Sequence, residues 1–187
     1  MGPNAILQMA QVLSRVLGED GAARLLARAG ISALPDGSTM IPEKDAARLH
    51  QQVRRDAPNE AVEIATEAGV LTARYILAHR IPNPAQIVLK LLPPSLAARA
   101  LSKAISKHAW TFAGSGAFRV VDPWTFEITN NPLIRGEHSE TPICHWHAAV
   151  FAALYSELVA PGCRCIELSC GAQSGETACM FRILRPD

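Results

Sequence analysis

The sequence predicts an α+β protein in which a helical N-terminal half precedes a β-β-α-β-β antiparallel-sheet domain with a structural zinc site. Apolar residues recur at helical spacing as far as Lys107, and the pattern turns strand-like after Trp110. One apolar helical stretch, "CHWHAAVFAALYSELVA", then interrupts the strands. A chain of 187 residues with 49% hydrophobic side chains can bury a full core. The change of period divides it into a helical region, 1–109, and an α+β small-molecule-binding domain, 110–187.

Asn4 to Leu17 carries Ile6, Leu7, Met9, Ala10, Leu13, Val16 and Leu17 at helical spacing, and Gly18 stands where a helix stops. A short helix from Gly21 to Ala29 ends at Gly30. Pro42 suits the first turn of a helix that runs through Arg55 with one polar face. Asn59 to Ala78 is a longer, central helix able to bury Val62, Ile64, Ala65, Ala68, Leu71, Tyr75 and Ile76. Pro82 and Pro84, then "LLPPS" at Leu91 to Ser95, break the chain before a last helix. In that helix Ala97, Ala100, Leu101, Ala104, Ile105 and His108 share a face. "GAFRVVDPWTFEITNNP" contains two strands, near Ala117 to Val121 and Thr125 to Thr129, joined by a turn at Asp122-Pro123. The helix beginning near Cys144 ends at Pro161-Gly162, and strands from Arg164 to Ser169 and Ala178 to Leu184 flank the turn-rich "CGAQSGET".

Eighteen basic against seventeen acidic residues leave a formal charge of +1, without the overall charge that drives binding to nucleic acid or anionic lipid. "MGPNAILQMA" has no secretory or lipidation pattern, and no apolar stretch is long enough to be a transmembrane segment. The expectation is a soluble, cytoplasmic protein whose partners are small molecules or other proteins. Of five cysteines, four lie between Cys163 and Cys179, which suits metal or redox chemistry better than a disulfide framework.

Glu167 sits between Ile166 and Leu168, where an unpaired carboxylate is costly. Cys144 at a helix start, Glu167 within a strand, Cys170 at its end and Cys179 entering the last strand could close a tetrahedral zinc site. Four protein ligands with no open position make such a site structural, not catalytic. Some of these cysteines could instead be small buried hydrophobes. Because Glu167 and Cys170 are three residues apart, they would face opposite sides of a straight strand, so convergence requires a bulge near Ser169. Three thiolates and a carboxylate leave about two negative charges in excess of a divalent ion. Arg164, Arg182 and backbone N–H groups of the Gly171 to Gly175 turn are the candidates to offset them.

The stretches "NPLI", "CHWHAAVFAALYSEL" and "RCIELSCGAQSGETACMFRI" resemble the 4-vinyl reductase domain family over about Phe118 to Arg185. Relatives of that domain are ligand-sensing modules of aromatic-responsive activators with a structural zinc on a Cys, Glu, Cys, Cys set. The resemblance therefore implies Cys144, Glu167, Cys170 and Cys179 as zinc ligands, with the last interval one residue longer here and Cys165 in reserve. It also implies a place in bacteriochlorophyll synthesis, a homodimer, and reduction of the 4-vinyl (8-vinyl) substituent of a divinyl magnesium tetrapyrrole of the protochlorophyllide or chlorophyllide type.

Such a reduction draws a hydride or electrons from a cofactor. The glycine-rich candidate, "GSGAFR" at Gly114 to Arg119, has Arg119 in place of a third glycine and leads into a strand, not a helix. Ferredoxin-like cysteine spacing is absent. NADPH is thus expected only if the protein is itself the reductase, and whether it is an enzyme stays open. The preferred expectation is a carrier that presents the tetrapyrrole to pathway enzymes; a sensing or assembly subunit is a further alternative. An apolar slot for a porphyrin-like ligand could be walled by Tyr75, Ile76, Trp110, Phe112, Trp124 and Phe126. His108 is a candidate axial ligand for the magnesium, with His138, His145 and His147 also available.

Overall fold

Gly18 adopts a positive φ of 71° inside the helical run Asn4–Arg28 (α1), which is therefore two helices meeting at a kink. Only glycine takes up that backbone conformation without a Cβ penalty, so the stop expected at this position is real. The structure is a computed structural model and describes residues 1–186. Helices Glu43–Asp56 (α2), Ala61–His79 (α3), Asn83–Leu91 (α4), Pro94–Lys107 (α5) and the single turn Trp110–Ala113 (α6) complete the first half. Strands Ala117–Asp122 (β1) and Thr125–Thr129 (β2), helix His145–Leu158 (α7), and strands Arg164–Ser169 (β3) and Ala178–Leu184 (β4) form the second. The β-β-α-β-β order is that expected.

Three helices depart from the expected burial. On α3 the buried face is Ala61, Ile64, Ala65, Ala68, Gly69, Thr72 and Ala73, whereas Val62 is exposed and Leu71, Tyr75 and Ile76 are half-buried. The reason is close approach by α7: a Cβ added to Gly69 would lie 2.5 Å from the Trp146 carbonyl oxygen and 2.7 Å from Ala149 Cβ. Only small residues fit there. On α5 the buried stripe is Ala97, Ala98, Leu101, Ser102 and Ile105, which leaves Ala100, Ala104 and His108 exposed. Between the two proline-rich breaks the chain forms α4, because Pro84 falls in the first turn, where a missing N–H is tolerated.

The four strands form one antiparallel sheet in the order β1-β2-β4-β3. Phe126 and Phe181 are paired across β2 and β4 and meet Phe151 of α7, with ring centroids 5.0 and 5.4 Å away. The Tyr155 hydroxyl donates to the Pro123 carbonyl at 2.5 Å and ties α7 to the β1–β2 turn. α7 packs on β3 and on α3, and α3 in turn on α1. The hydrophobic core runs from Ile6 in α1 to Ile183 in β4. Among the described residues, no helix is long and apolar enough to cross a membrane.

Candidate metal centre

Each residue of the cluster is delivered by a feature that the local sequence dictates. Cys144 caps the N-terminal end of α7. Glu167 lies on the face of β3 turned toward α7, and the register of β3 on β4 slips between Glu167 and Ser169. That slip is the bulge required by the three-residue interval, and it brings Cys170 onto the side of Glu167. Cys179, on β4, is fully buried beside them. One potential ligand atom from each of Cys144, Glu167, Cys170 and Cys179 lies within 4.8 Å of the others.

The donor set fits a tetrahedral ion. Sulfur atoms bound at about 2.3 Å in tetrahedral geometry are about 3.8 Å apart. The Cys144–Cys170 and Cys170–Cys179 separations are 3.8 Å, and Cys144–Cys179 is 3.4 Å. These are far beyond a disulfide bond length. Glu167 Oε2 accepts the Cys144 backbone N–H at 2.7 Å, while Oε1 is buried without a partner. A buried, unpartnered carboxylate oxygen beside three convergent sulfurs is the oxygen donor that such an ion would use. The ion would supply a staple between the start of α7 and the β3–β4 hairpin, and four protein ligands leave no position for substrate.

The protonation chemistry agrees. Burial raises the Glu167 carboxyl to about 8, and the nearby Cys170 adds to that rise. Burial likewise pushes the Cys144 thiol well up. Cys170 is lowered because the thiols of Cys144 and Cys179 donate to its sulfur, so the trio holds one thiolate and shares the remaining protons. A divalent cation would take the place of those protons.

Charge compensation comes from neutral donors. Asn131 Nδ2 lies 3.3 Å from Cys144 Sγ and 3.7 Å from Cys179 Sγ, while its Oδ1 accepts the Leu133 N–H at 3.1 Å and caps the 3₁₀ turn Pro132–Ile134. Backbone N–H groups of Ala172 and Ile143 serve Cys170, and that of Gly171 serves Cys179. The Gly171 turn thus acts as expected. Arg164 and Arg182 do not: both are exposed, and strand alternation puts them on the sheet face away from Glu167. Cys165, the reserve ligand, is half-buried and stands outside the cluster.

The residues expected to wall a ligand slot are brought together only in part. Phe112 and Phe126 join the aromatic cluster around Phe151, at 5.7 and 5.0 Å, and Phe126 is fully buried. Trp124 packs on Tyr155 at 5.6 Å, under the Arg185 guanidinium. Tyr75 stacks on His79 at the end of α3, with Ile76 beside it in sequence. His108 and Trp110 are exposed after α5. A separate cavity of about 170 Å³, lined by Met9, His50, Arg54, Ala65, Ile143 and His145, opens next to the cysteine cluster. His145 lines that cavity, whereas His147 is buried with Nε2 3.4 Å from the Phe112 carbonyl and Nδ1 unpartnered. "GSGAFR" has its first donors engaged: the Ser115 N–H and hydroxyl donate to Glu43 at 2.6 and 2.7 Å. A carboxylate occupies the place a phosphate would need. Asn131, His50 and Arg54 were missed by sequence reasoning; for Asn131 the only signal was an Asn before Pro132, which reads as a turn.

Residues 124–185 match the vinyl-4-reductase domain family. The chain is 50% identical over 186 residues to a bacteriochlorophyll synthase 23 kDa chain of Cereibacter sphaeroides, covering 98% of this chain and 90% of that one. It is 45% identical to the protein of the same description from Rhodobacter capsulatus, covering 100% and 87%. Among solved structures it resembles an H-NOX protein mutant of K. algicida, with a TM-score of 0.63, 8% identity and coverage of 100% and 97%. An H-NOX protein from S. oneidensis in the Fe(II)NO ligation state gives 0.60, 10% identity and full coverage of both chains. An H-NOX structure that probes heme distortion gives 0.58 and 12%, covering 100% and 96%. At these identities the likeness is one of fold alone.

Proposed function

We propose, from the premise that this chain belongs to the family of bacteriochlorophyll synthase 23 kDa chains and carries a vinyl-4-reductase domain, that it binds a divinyl magnesium tetrapyrrole and presents it to enzymes of the pathway. The family places it in bacteriochlorophyll biosynthesis. The ligand proposed is of the protochlorophyllide or chlorophyllide type. One observation carries this choice: the whole chain, helical half included, has the architecture of proteins described with heme, itself a tetrapyrrole. Tyr75, Ile76, Phe112 and Trp124 are half-buried and Trp110 is exposed, so a flat ligand can reach apolar surface at each, while Phe126 backs them from the core. His108, exposed at the end of α5, offers an imidazole to the magnesium. The active unit is proposed to be a homodimer.

In this proposal Cys144, Glu167, Cys170 and Cys179 hold a structural zinc that keeps α7 seated on the sheet. Zinc has no redox chemistry, so the cluster serves shape and not electron transfer. Reduction of the vinyl group by this chain itself, with NADPH as donor, is the second function proposed, favoured by the description of the domain family that its C-terminal half matches. The engagement of Ser115 by Glu43 weighs against the one glycine-rich segment as its phosphate site. A sensing or assembly role ranks third, the H-NOX-like architecture being its support.

The test mixes purified protein with divinyl protochlorophyllide or chlorophyllide, with and without NADPH, and follows the absorption spectrum and the product. A shifted pigment spectrum without turnover is expected. Turnover with stoichiometric NADPH oxidation would make the chain the reductase, and no spectral shift at micromolar pigment would remove tetrapyrrole binding altogether.

A further inference from the structure

Between Glu67 and Asp122 the chain contains no Asp or Glu and seven Lys or Arg residues, leaving eleven basic against seventeen acidic residues elsewhere. The overall charge of +1 therefore conceals one strongly cationic segment, which builds the end of α3, α4, α5 and α6. On α5 the exposed side chains Leu96, Arg99, Lys103 and Lys107 recur at three- and four-residue intervals, opposite the buried stripe of Ala98, Leu101 and Ile105. Among the described residues, no carboxylate pairs with Arg99, Lys103 or Lys107. Lys90 of α4, by contrast, pairs with Glu157 of α7.

Next to this cationic stripe lies α4, nine residues long and without one buried side chain. Ile87, Val88 and Leu91 are 59%, 57% and 80% exposed. A helix so short is marginal in water unless an apolar face is covered, and three large aliphatic side chains facing solvent are the part of α4 left uncovered. Leu91 and Leu96 bracket the Pro93-Pro94 turn, so the apolar face of α4 leads directly into the cationic stripe of α5.

We propose that α4 and α5 form a peripheral membrane-docking surface that lies on an anionic lipid bilayer, with Ile87, Val88 and Leu91 entering the headgroup boundary and Arg99, Lys103 and Lys107 facing lipid phosphates. Exposed aliphatic residues beside unpaired cations are the composition of an interfacial helix, and juxtaposed basic residues are drawn to the negative surface potential of such a membrane. A second copy of the chain is a poorer occupant, because a twofold interface would set this cationic stripe against itself. Nucleic acid is poorer still, since the aliphatic patch would meet phosphates. A chain placed in this way would meet pigment and enzymes at a lipid surface while having no spanning helix.

Full-length, pigment-free protein is to be co-sedimented with vesicles of phosphatidylglycerol and phosphatidylcholine, and with vesicles of phosphatidylcholine alone, at low and high salt. Binding is expected only to the anionic vesicles, and to weaken with salt. The variant R99Q/K103Q/K107Q should bind about 100-fold more weakly, at roughly tenfold or somewhat less for each charge. I87S/L91S should also lose binding, and the far-UV spectra of both variants should match that of the parent, since all five positions are exposed. No binding to anionic vesicles, equal binding to neutral ones, or undiminished binding of the triple variant would each overturn the proposal. So would a dimer that I87S/L91S dissociates in the absence of vesicle binding, which would give the surface to a second copy. No pigment enters the experiment, so its outcome is independent of tetrapyrrole binding.

Discussion

Asn131 is the residue through which the metal-centre proposal is most sharply testable. Its side chain is 3% exposed, one end capping a 3₁₀ turn and the other donating to two of the thiol sulfurs. Hydrogen-bond donors that stand behind metal ligands in this way are worth about 10–100-fold in metal affinity. Asn131→Asp keeps the capping oxygen but replaces the donor with a carboxylate facing thiolates, so its zinc affinity, read by competition with a chromophoric chelator, should fall by at least that factor. An unchanged affinity would remove Asn131 from the centre. Cys170→Ser, whose sulfur is shared by both other thiols, should abolish the one zinc per chain expected by elemental analysis. His50 carries a different kind of prediction. Burial lowers its imidazole to about 3, and Nε2 lies 3.0 Å from the Ala5 carbonyl. The unfolded imidazole protonates near 6.5, so between those values the unfolded state binds more protons and stability falls as the pH falls. The loss is roughly 1.4 kcal/mol per pH unit once the pH is below about 6. His50→Gln retains an amide donor for Ala5 but cannot titrate. Urea denaturation at pH 7.5 and 5.5 should show a smaller acid loss in the variant, and equal losses would exclude His50 as the source. At this scale the ligand set was legible, because cysteines and a misplaced acid stand out in a sequence. Asn131 was not, because an amide that only supports the ligands has no spacing signature.

The contact between α3 and α7 shows where element-scale inference from sequence succeeds and where it fails. Period and length identified both helices, and turn residues located β2, β3 and β4 at their observed ends. The buried face of α3 was assigned by side-chain size, yet α7 comes so close at Gly69 that alanines and a glycine form the contact. Helix α5 is similarly rotated, its small residues being divided between buried and exposed positions. Hydrophobicity alone does not rank alanines, so interhelical distance decides which of them are covered. α4 was obscured for another reason: Pro84 suggests a break, but a proline in the first turn begins a helix. These facts make Gly69→Ala a direct probe. The added methyl meets a backbone carbonyl, which cannot rotate away, so overpacking should destabilise the protein by about 1–3 kcal/mol. Val62→Ala, on the exposed side of the same helix, should change stability by about 0.5 kcal/mol or less. Urea midpoints at constant slope would report both. A Gly69→Ala variant as stable as Val62→Ala would mean that α3 and α7 stand farther apart.

For the whole molecule, the change of sequence period at Trp110 and the continuity of the core lead to different expectations about folding. The period marks a change of secondary structure, and the match to the vinyl-4-reductase domain lies entirely beyond it, at 124–185. Packing crosses that boundary freely. α7 presents Phe151 and Tyr155 to the sheet, but its other side meets α3 at Trp146 and Ala149, and Trp146 also meets His50 of α2 edge-on at 5.6 Å. Glu43 of α2 is bonded to Ser115 and paired with Arg135, which itself donates to Asn130 beside the metal-centre residue Asn131. A chain starting at residue 110 would expose the α3-facing side of α7 and release the Glu43 anchor together. Burial of that face is the larger loss, since each large apolar side chain moved from core to water costs about 1.5–3 kcal/mol, against a net stability of only about 5–15 kcal/mol for a domain. The fragment 110–187 should therefore fail to fold cooperatively by itself, even with zinc added, whereas the full chain should unfold in one transition that coincides by far-UV and near-UV dichroism. Metal binding by an otherwise disordered fragment would remain consistent with this, because its four ligands all lie within it. A fragment with a sharp thermal transition and dispersed amide resonances would instead show that the zinc-stapled sheet and α7 suffice as a folding unit, with the helical half docking onto a finished domain.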